Sequence, residues 1–141
     1  MKKIIAVAAA MLAAIFLQAC SVSTAGISDV KLCVDADSKG ICSSDSSTFE
    51  TTTPEIFLSA NLNNAPSGTK VTSSWKYIKG ELGNDPQDID SVTAEAKEGG
   101  SQPYTSSMTS PTAGWPKGDY EVTITLSSDN STPVVKKFSI Q

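Results

Sequence analysis

Hydrophobic and polar residues alternate along most of this chain, and no window repeats its apolar positions at helical spacing. The clearest stretch interleaves Tyr120, Val122, Ile124 and Leu126 with Glu121, Thr123, Thr125 and Ser127, which predicts a half-buried strand. Asp129-Asn130-Ser131 then turns the chain, and Pro133 opens a last strand in which Val134, Phe138 and Ile140 point one way. Lys136 falls on that same side. It predicts either an ammonium reaching out at an edge or a bulge that shifts the register. Upstream, Ile56, Leu58, Ala60 and Leu62 form an inward set, ended by Asn63-Asn64-Ala65-Pro66-Ser67-Gly68, and Val71, Trp75 and Tyr77 line the following strand. Weaker strands fit Ile27–Val34, Ile89–Ala96 and Tyr104–Thr109, with breaks at Gly99-Gly100 and from Pro111 to Gly118. About seven short strands with threonine and serine on their outer faces predict an all-β fold, an antiparallel β-sandwich.

The first residues break this pattern. Lys2 and Lys3 precede an uncharged apolar run from Ile4 to Leu17, which is shorter than the roughly 20 residues a spanning helix needs. The run closes on Leu17-Gln18-Ala19-Cys20, the arrangement of a lipoprotein signal peptide whose Cys20 becomes the acylated first residue of the mature chain. Plain secretion, with cleavage after Ser23-Thr24-Ala25, is the competing expectation. That site lies well past the apolar run, and Leu17 is too bulky for an A-x-A cut before Cys20. The expected organisation is therefore a signal peptide over 1–19, a lipid-anchored tether over 20–28 and one domain over 29–141. Two or more acyl chains on Cys20 would hold it stably in a bilayer.

Charge narrows the partners. Without Lys2 and Lys3, nine lysines face fifteen acidic residues, and the chain has neither arginine nor histidine. Such a surface argues against nucleic acid and against anionic headgroups, both of which need clustered cations. With Cys20 acylated, Cys33 and Cys42 remain as an even pair in an oxidising compartment, and a disulfide between them is expected. A redox-active or metal-binding pair is the alternative, but CxxC spacing and histidine are both missing.

Several segments resemble a known kind of module. The succession Phe49…Pro54-Glu55-Ile56, then Asn64-Ala65-Pro66-Ser67-Gly68-Thr69-Lys70-Val71, then Trp75-Lys76-Tyr77, is similar to secreted bacterial immunoglobulin-like (fibronectin III-like) sandwiches. Gly114-Trp115-Pro116-Lys117-Gly118-Asp119-Tyr120-Glu121-Val122 resembles their GWP.G.Y.V turn-and-strand. The resemblance spans most of residues 29–140. It implies an adhesive, scaffolding or ligand-holding part and carries over no catalytic residues. In such a sandwich Trp75 is expected in the core, and Tyr120 where a tyrosine corner sits. Gly83 to Asp90 reads as an insertion after the third strand.

Candidate chemistry is sparse. Without histidine, Ser-His-Asp and Cys-His schemes are excluded, and the carboxylates are scattered over turns. No cofactor is expected. Asp35 and Asp37, with Asp45 nearby, start like a calcium loop, but Lys39 stands where an oxygen ligand belongs and no glutamate closes it, so an acidic turn is expected with calcium as the weaker reading. Asp85, Asp88 and Asp90 read the same way. Trp115, between Gly114 and Pro116, either plugs one end of the sandwich or contacts a partner. Phe57 is out of phase with Ile56 and Leu58 and should face outward, covered by a loop, packed at an edge, or part of a contact surface.

These readings converge on a non-enzymatic, lipid-anchored binding or scaffolding protein of the bacterial envelope, at the outer membrane because Ser21 is not aspartate. Its partner is expected to be an envelope or surface protein or a glycan. The alternatives are an inhibitor of a cationic hydrolase such as lysozyme, with a protruding loop at Gly80 to Asp90, and a calcium-dependent adhesin. A scaffold would use a sheet face or an exposed edge strand instead.

Overall fold

The computed structural model describes residues 24–128 and 131–141, so the signal segment and Cys20 lie outside the described residues. Eight strands follow in chain order: β1 (Gly26–Cys33), β2 (Thr48–Phe49), β3 (Glu55–Ala65), β4 (Lys70–Gly80), β5 (Gln87–Glu95), β6 (Gly100–Thr109), β7 (Gly118–Leu126) and β8 (Val134–Ile140). They form a three-stranded sheet in the order β1-β3-β6 and a five-stranded sheet in the order β2-β8-β7-β4-β5. The expected β-sandwich is the fold. Its pairings are antiparallel apart from β2, which adds two parallel rungs to the end of β8.

The alternation read from the sequence maps onto the inner faces. Ile56, Leu58, Ala60 and Leu62 of β3 face Val71, Trp75 and Tyr77 of β4 and Tyr120, Val122, Ile124 and Leu126 of β7, all of them buried. Ser73 shares that face with no exposed surface, and its burial is tolerated because its Oγ accepts the Tyr104 hydroxyl at 3.0 Å and donates to Ser106 Oγ at 3.2 Å.

Three boundaries differ from the sequence reading. β1 begins at Gly26, and Ala25 is already in the core, so the domain starts before residue 29. β3 runs on to Ala65 through a bulge after Leu62, with Asn64 at φ 50°, where the sequence suggested a turn from Asn63. The chain turns instead at Pro66 to Thr69, closed by the Thr69 N–H on Pro66 O at 3.1 Å. Gly83 to Asp90 is no separate insertion either, because its second half opens β5.

The β7–β8 register runs without a shift from Gly118↔Ile140 to Ile124↔Val134, so Lys136 sits in line with Phe138 and Ile140. Its ammonium reaches the Asp45 carboxylate, and Asp45 Oδ1 also accepts the Leu32 N–H at 2.9 Å. Asp45 thereby joins β8 of one sheet to β1 of the other. Partial burial alone would raise the Asp45 carboxyl, but the Lys136 ammonium and the Leu32 N–H outweigh it and hold it below the ordinary range.

Candidate interaction surface

The cysteine pair forms the expected disulfide, Cys33 to Cys42. Its loop folds back over the outer face of the smaller sheet: the Cys42 N–H donates to Ser59 Oγ at 3.1 Å, and a side chain at Gly40 would meet Thr105 at 3.2 Å. Phe57 lies on this outer face, as its phase predicts. It pairs across to Cys33 and Ser107, with Cys42 Sγ 3.7 Å from its carbonyl oxygen. The side chain is half-buried on a central strand whose neighbour at this position is Cys33, so the edge reading fails.

Inside the same loop, Asp37 Oδ1 accepts the N–H groups of Ile41 at 2.9 Å and Lys39 at 2.8 Å, which hold its carboxyl below the ordinary range. The acid organises the turn through backbone donors, while Asp35 is exposed beside it. Among the described residues, no group of three acidic or cysteine side chains is arranged to hold a metal ion.

Trp115 is a plug. It is buried, its N–H donates to Thr51 O at 3.0 Å, and its Nε1–H donates to Thr53 O at 2.7 Å, which clamps the 50–54 loop over the end of the sandwich. The contact reading of Trp115 is corrected by this burial. Its ring meets Tyr120 edge-on at 6.1 Å, and Tyr120 in turn stacks on Phe138 at 5.2 Å and meets Tyr77 edge-on at 5.2 Å. Tyr120 makes the tyrosine corner, its hydroxyl donating to Pro116 O at 2.6 Å. Burial, then the neighbouring Tyr77 and Glu81, push its phenol up to about 12. Trp75 meets Phe138 edge-on at 6.0 Å, and its buried Nε1 has no hydrogen-bond partner among the described residues.

None of these residues forms an open site. What the fold leaves open is a strand edge that the sequence did not single out. β5 is the last strand of the larger sheet, and all nine of its residues are exposed. Among the described residues it pairs with β4 alone, so alternate residues turn their N–H and C=O groups away from the sheet. The smaller sheet stops at β6, whose Tyr104 and Ser106 reach Ser73 of β4, and β5 therefore overhangs.

The other free edges are blunted. β1 carries a bulge between Ser28 and Lys31, with Asp29 at φ 51°. β6 holds Pro103, which has no N–H to offer. β2 has two residues, and β8 beyond it is latched through Lys136 to Asp45. β5 has a bulge at Ile89, but Ser91–Glu95 pairs with Lys70–Ser74 in unbroken register and contains no proline.

Asp90, Val92 and Ala94 of β5 share the side of Trp75, Ser73 and Val71, whereas Ser91, Thr93 and Glu95 share the outer side. Ile89 and Val92 are 43% and 38% exposed, so the free edge carries two apolar side chains among its polar and acidic ones. Beneath its first half, a cleft of about 390 Å³ is lined by Ile89, Asp90, Met108, Pro111 and Trp115. On the outer face of the sheet, a broader depression of about 520 Å³ is lined by Lys79, Asp119, Glu121 and Lys137, charges of both signs.

The segment before β5 is tied down. Gly80 and Gly83 exchange backbone hydrogen bonds at 2.8 and 3.0 Å, and the Tyr77 hydroxyl accepts the Leu82 N–H at 2.9 Å while donating to Gly83 O at 3.2 Å. Glu81 bonds Lys117 twice, donating its N–H to the carbonyl and accepting the N–H on its carboxylate.

No protein-family profile and no curated protein sequence matches the chain. Solved structures do. An alkylpurine DNA glycosylase from Pseudomonas fluorescens bound to DNA aligns at a TM-score of 0.51 and 13% identity, over 83% of this chain and 30% of that one. A β-glucosidase from Erythrobacter marinus aligns at 0.51 and 8%, over 84% and 15%. The chain thus spans less than a third of either enzyme. A Niemann-Pick type C2 protein from the Japanese carpenter ant aligns at 0.50 and 13%, over 83% of this chain and 92% of that one. At these identities the likeness reaches the fold alone, and that fold is the β-sandwich.

Proposed function

We propose that this chain is a non-enzymatic binding or scaffolding lipoprotein of the bacterial cell envelope, an immunoglobulin-like module anchored through acylated Cys20 at the outer membrane, with β5 as its binding edge. The observation that carries the reading is the contrast between β5, nine exposed residues long, and the blunted edges elsewhere. Strand addition to such an edge takes its affinity from main-chain hydrogen bonds and its selectivity from alternate side chains. Supporting it are the Leu17-Gln18-Ala19-Cys20 sequence and the lack of histidine. Gly80 to Asp90, the loop an inhibitor would present, is spent on a pinned turn and on β5, which favours the edge over a loop as the contact.

The test is crosslinking of the tagged, natively expressed full-length protein in its own envelope, read by mass spectrometry beside Val92→Lys. One dominant partner lost in Val92→Lys is the expected result. A partner kept at full yield in that variant overturns β5 as the binding edge. For the anchor, incorporation of an alkyne-tagged fatty acid should disappear in Cys20→Ala. Equal labelling of both proteins would defeat it.

A further inference from the structure

The edge strand specifies the chemistry of what pairs with it. We infer, resting on β5 as the binding edge, that its partner is an extended, cationic protein segment that adds as a further strand beside Ser91–Glu95. Residues 85–98 hold five carboxylates (Asp85, Asp88, Asp90, Glu95, Glu98) against one lysine, Lys97. Asp88 meets Lys76 at 3.5 Å across the sheet, while Asp90 uses one oxygen on the Ser91 N–H and makes no ion pair among the described residues. A second copy of this chain would bring the same acids to the edge and set carboxylates near carboxylates, which is unfavourable between adjacent strands. A cationic strand meets the opposite condition.

Position by position, the register sets a pattern. Val92 and Ala94 call for apolar side chains on the inner side of the incoming strand, continuing the sheet above the β6 edge. Ser91 and Thr93 call for hydroxyls on the outer side, extending the Ser74–Ser91 and Thr72–Thr93 hydroxyl pairs at 3.3 and 2.9 Å. Asp90 and Glu95, at the two ends of the unbroken run, call for cations. An antiparallel partner therefore reads cation, apolar, hydroxyl, apolar, hydroxyl, cation.

The probe is an acetylated and amidated hexapeptide, Lys-Ile-Thr-Val-Thr-Lys, titrated into full-length isotope-labelled protein in detergent and followed by amide chemical shifts. Three comparison titrants are used: the same peptide with alternate backbone nitrogens methylated, Glu-Ile-Thr-Val-Thr-Glu, and the parent peptide on an Asp90→Asn/Glu95→Gln variant. The expected result is saturable binding with shifts centred on Ser91–Glu95. It should weaken about tenfold with the variant and at least as much with either altered peptide.

Equal binding of the methylated peptide reduces the effect to charge adsorption and overturns strand addition. Equal binding of the glutamate peptide overturns the cationic partner. A concentration-dependent dimer abolished by Val92→Lys assigns the edge to a second copy and overturns the inference too. If the envelope partner is lost in Val92→Lys but the peptides do not discriminate, the binding edge stands and only the cationic strand falls. If the partner survives Val92→Lys, both fall.

Discussion

Single side chains close this sandwich at places that alternation does not mark. Tyr120 ties the start of β7 to Pro116 while its ring joins Trp115, Tyr77 and Phe138. Tyr120→Phe keeps the ring and removes one partly buried hydrogen bond, so it should cost about 1 kcal/mol at neutral pH in a urea titration. The phenol is raised to about 12 in the folded protein and titrates near 10 in the unfolded chain, so its neutral form favours folding below that value. Stability should fall between about pH 10 and 12, less steeply in Tyr120→Phe. Asp45 acts at the opposite end of the scale. Its carboxyl is lowered on folding, so its contribution is present above its unfolded pKa of about 4 and lost as pH falls through the folded value. Asp45→Asn should destabilise by about 1 kcal/mol at pH 7, and parallel titrations at falling pH should show the two proteins converging. The Lys136 anomaly in the sequence was the one visible sign of this latch. Its partner, ninety-one positions away, read only as an acid near the Asp35–Asp37 turn.

Between elements, close backbone approach decides what the strands tolerate. Gly80 ends β4 and Gly118 opens β7, with φ of 146° and 152°, and a Cβ on Gly118 would lie 2.3 Å from the Lys79 carbonyl oxygen. Gly118→Ala should therefore cost several times a surface substitution, about 3 kcal/mol or more, as a drop in the melting midpoint by circular dichroism. That crowding gives a physical reason for glycine in the Gly118-Asp119-Tyr120 turn. The Cys33–Cys42 loop is the second device of this scale, closing a separation of 9 residues. Replacing both cysteines with alanine should lower stability by about 2–3 kcal/mol, and a reducing agent should reproduce the loss in the parent protein but not in the variant. Strands such as β3, β4 and β7 were legible because one face of each is buried along its length, which forces period-two alternation. β2 was not, since two residues around a lone Phe49 hold no period. β3 ended late for a related reason: Asn63-Asn64 looks like a turn locally, and only pairing with β6 shows that it is a bulge.

At the level of the whole molecule, the two sheets differ in width, and that mismatch makes the candidate surface. Ile89–Ala96 was legible as a strand but not as an uncovered one, because which strand ends a sheet depends on pairings between distant segments. Its apolar Ile89, Val92 and Ala94 mark a strand without marking whether it is covered. Of the two residues that looked most like contacts, Trp115 went into the core and Phe57 is half-buried on the middle strand of the smaller sheet.

The entry of the chain has a mechanical side. β1 pairs with β3 from Gly26↔Asn63 to Cys33↔Phe57, and the disulfide joins Cys33 to Cys42, leaving β3 unstapled. Tension arriving through residue 24 along the strand axis would load the β1–β3 rungs in shear, all together, instead of peeling them one by one. The disulfide would then limit how much chain pays out beyond Cys33, while the ladder sets the yield point. Resistance to a pull would be governed by the rate at which that ladder breaks, a quantity separate from equilibrium stability.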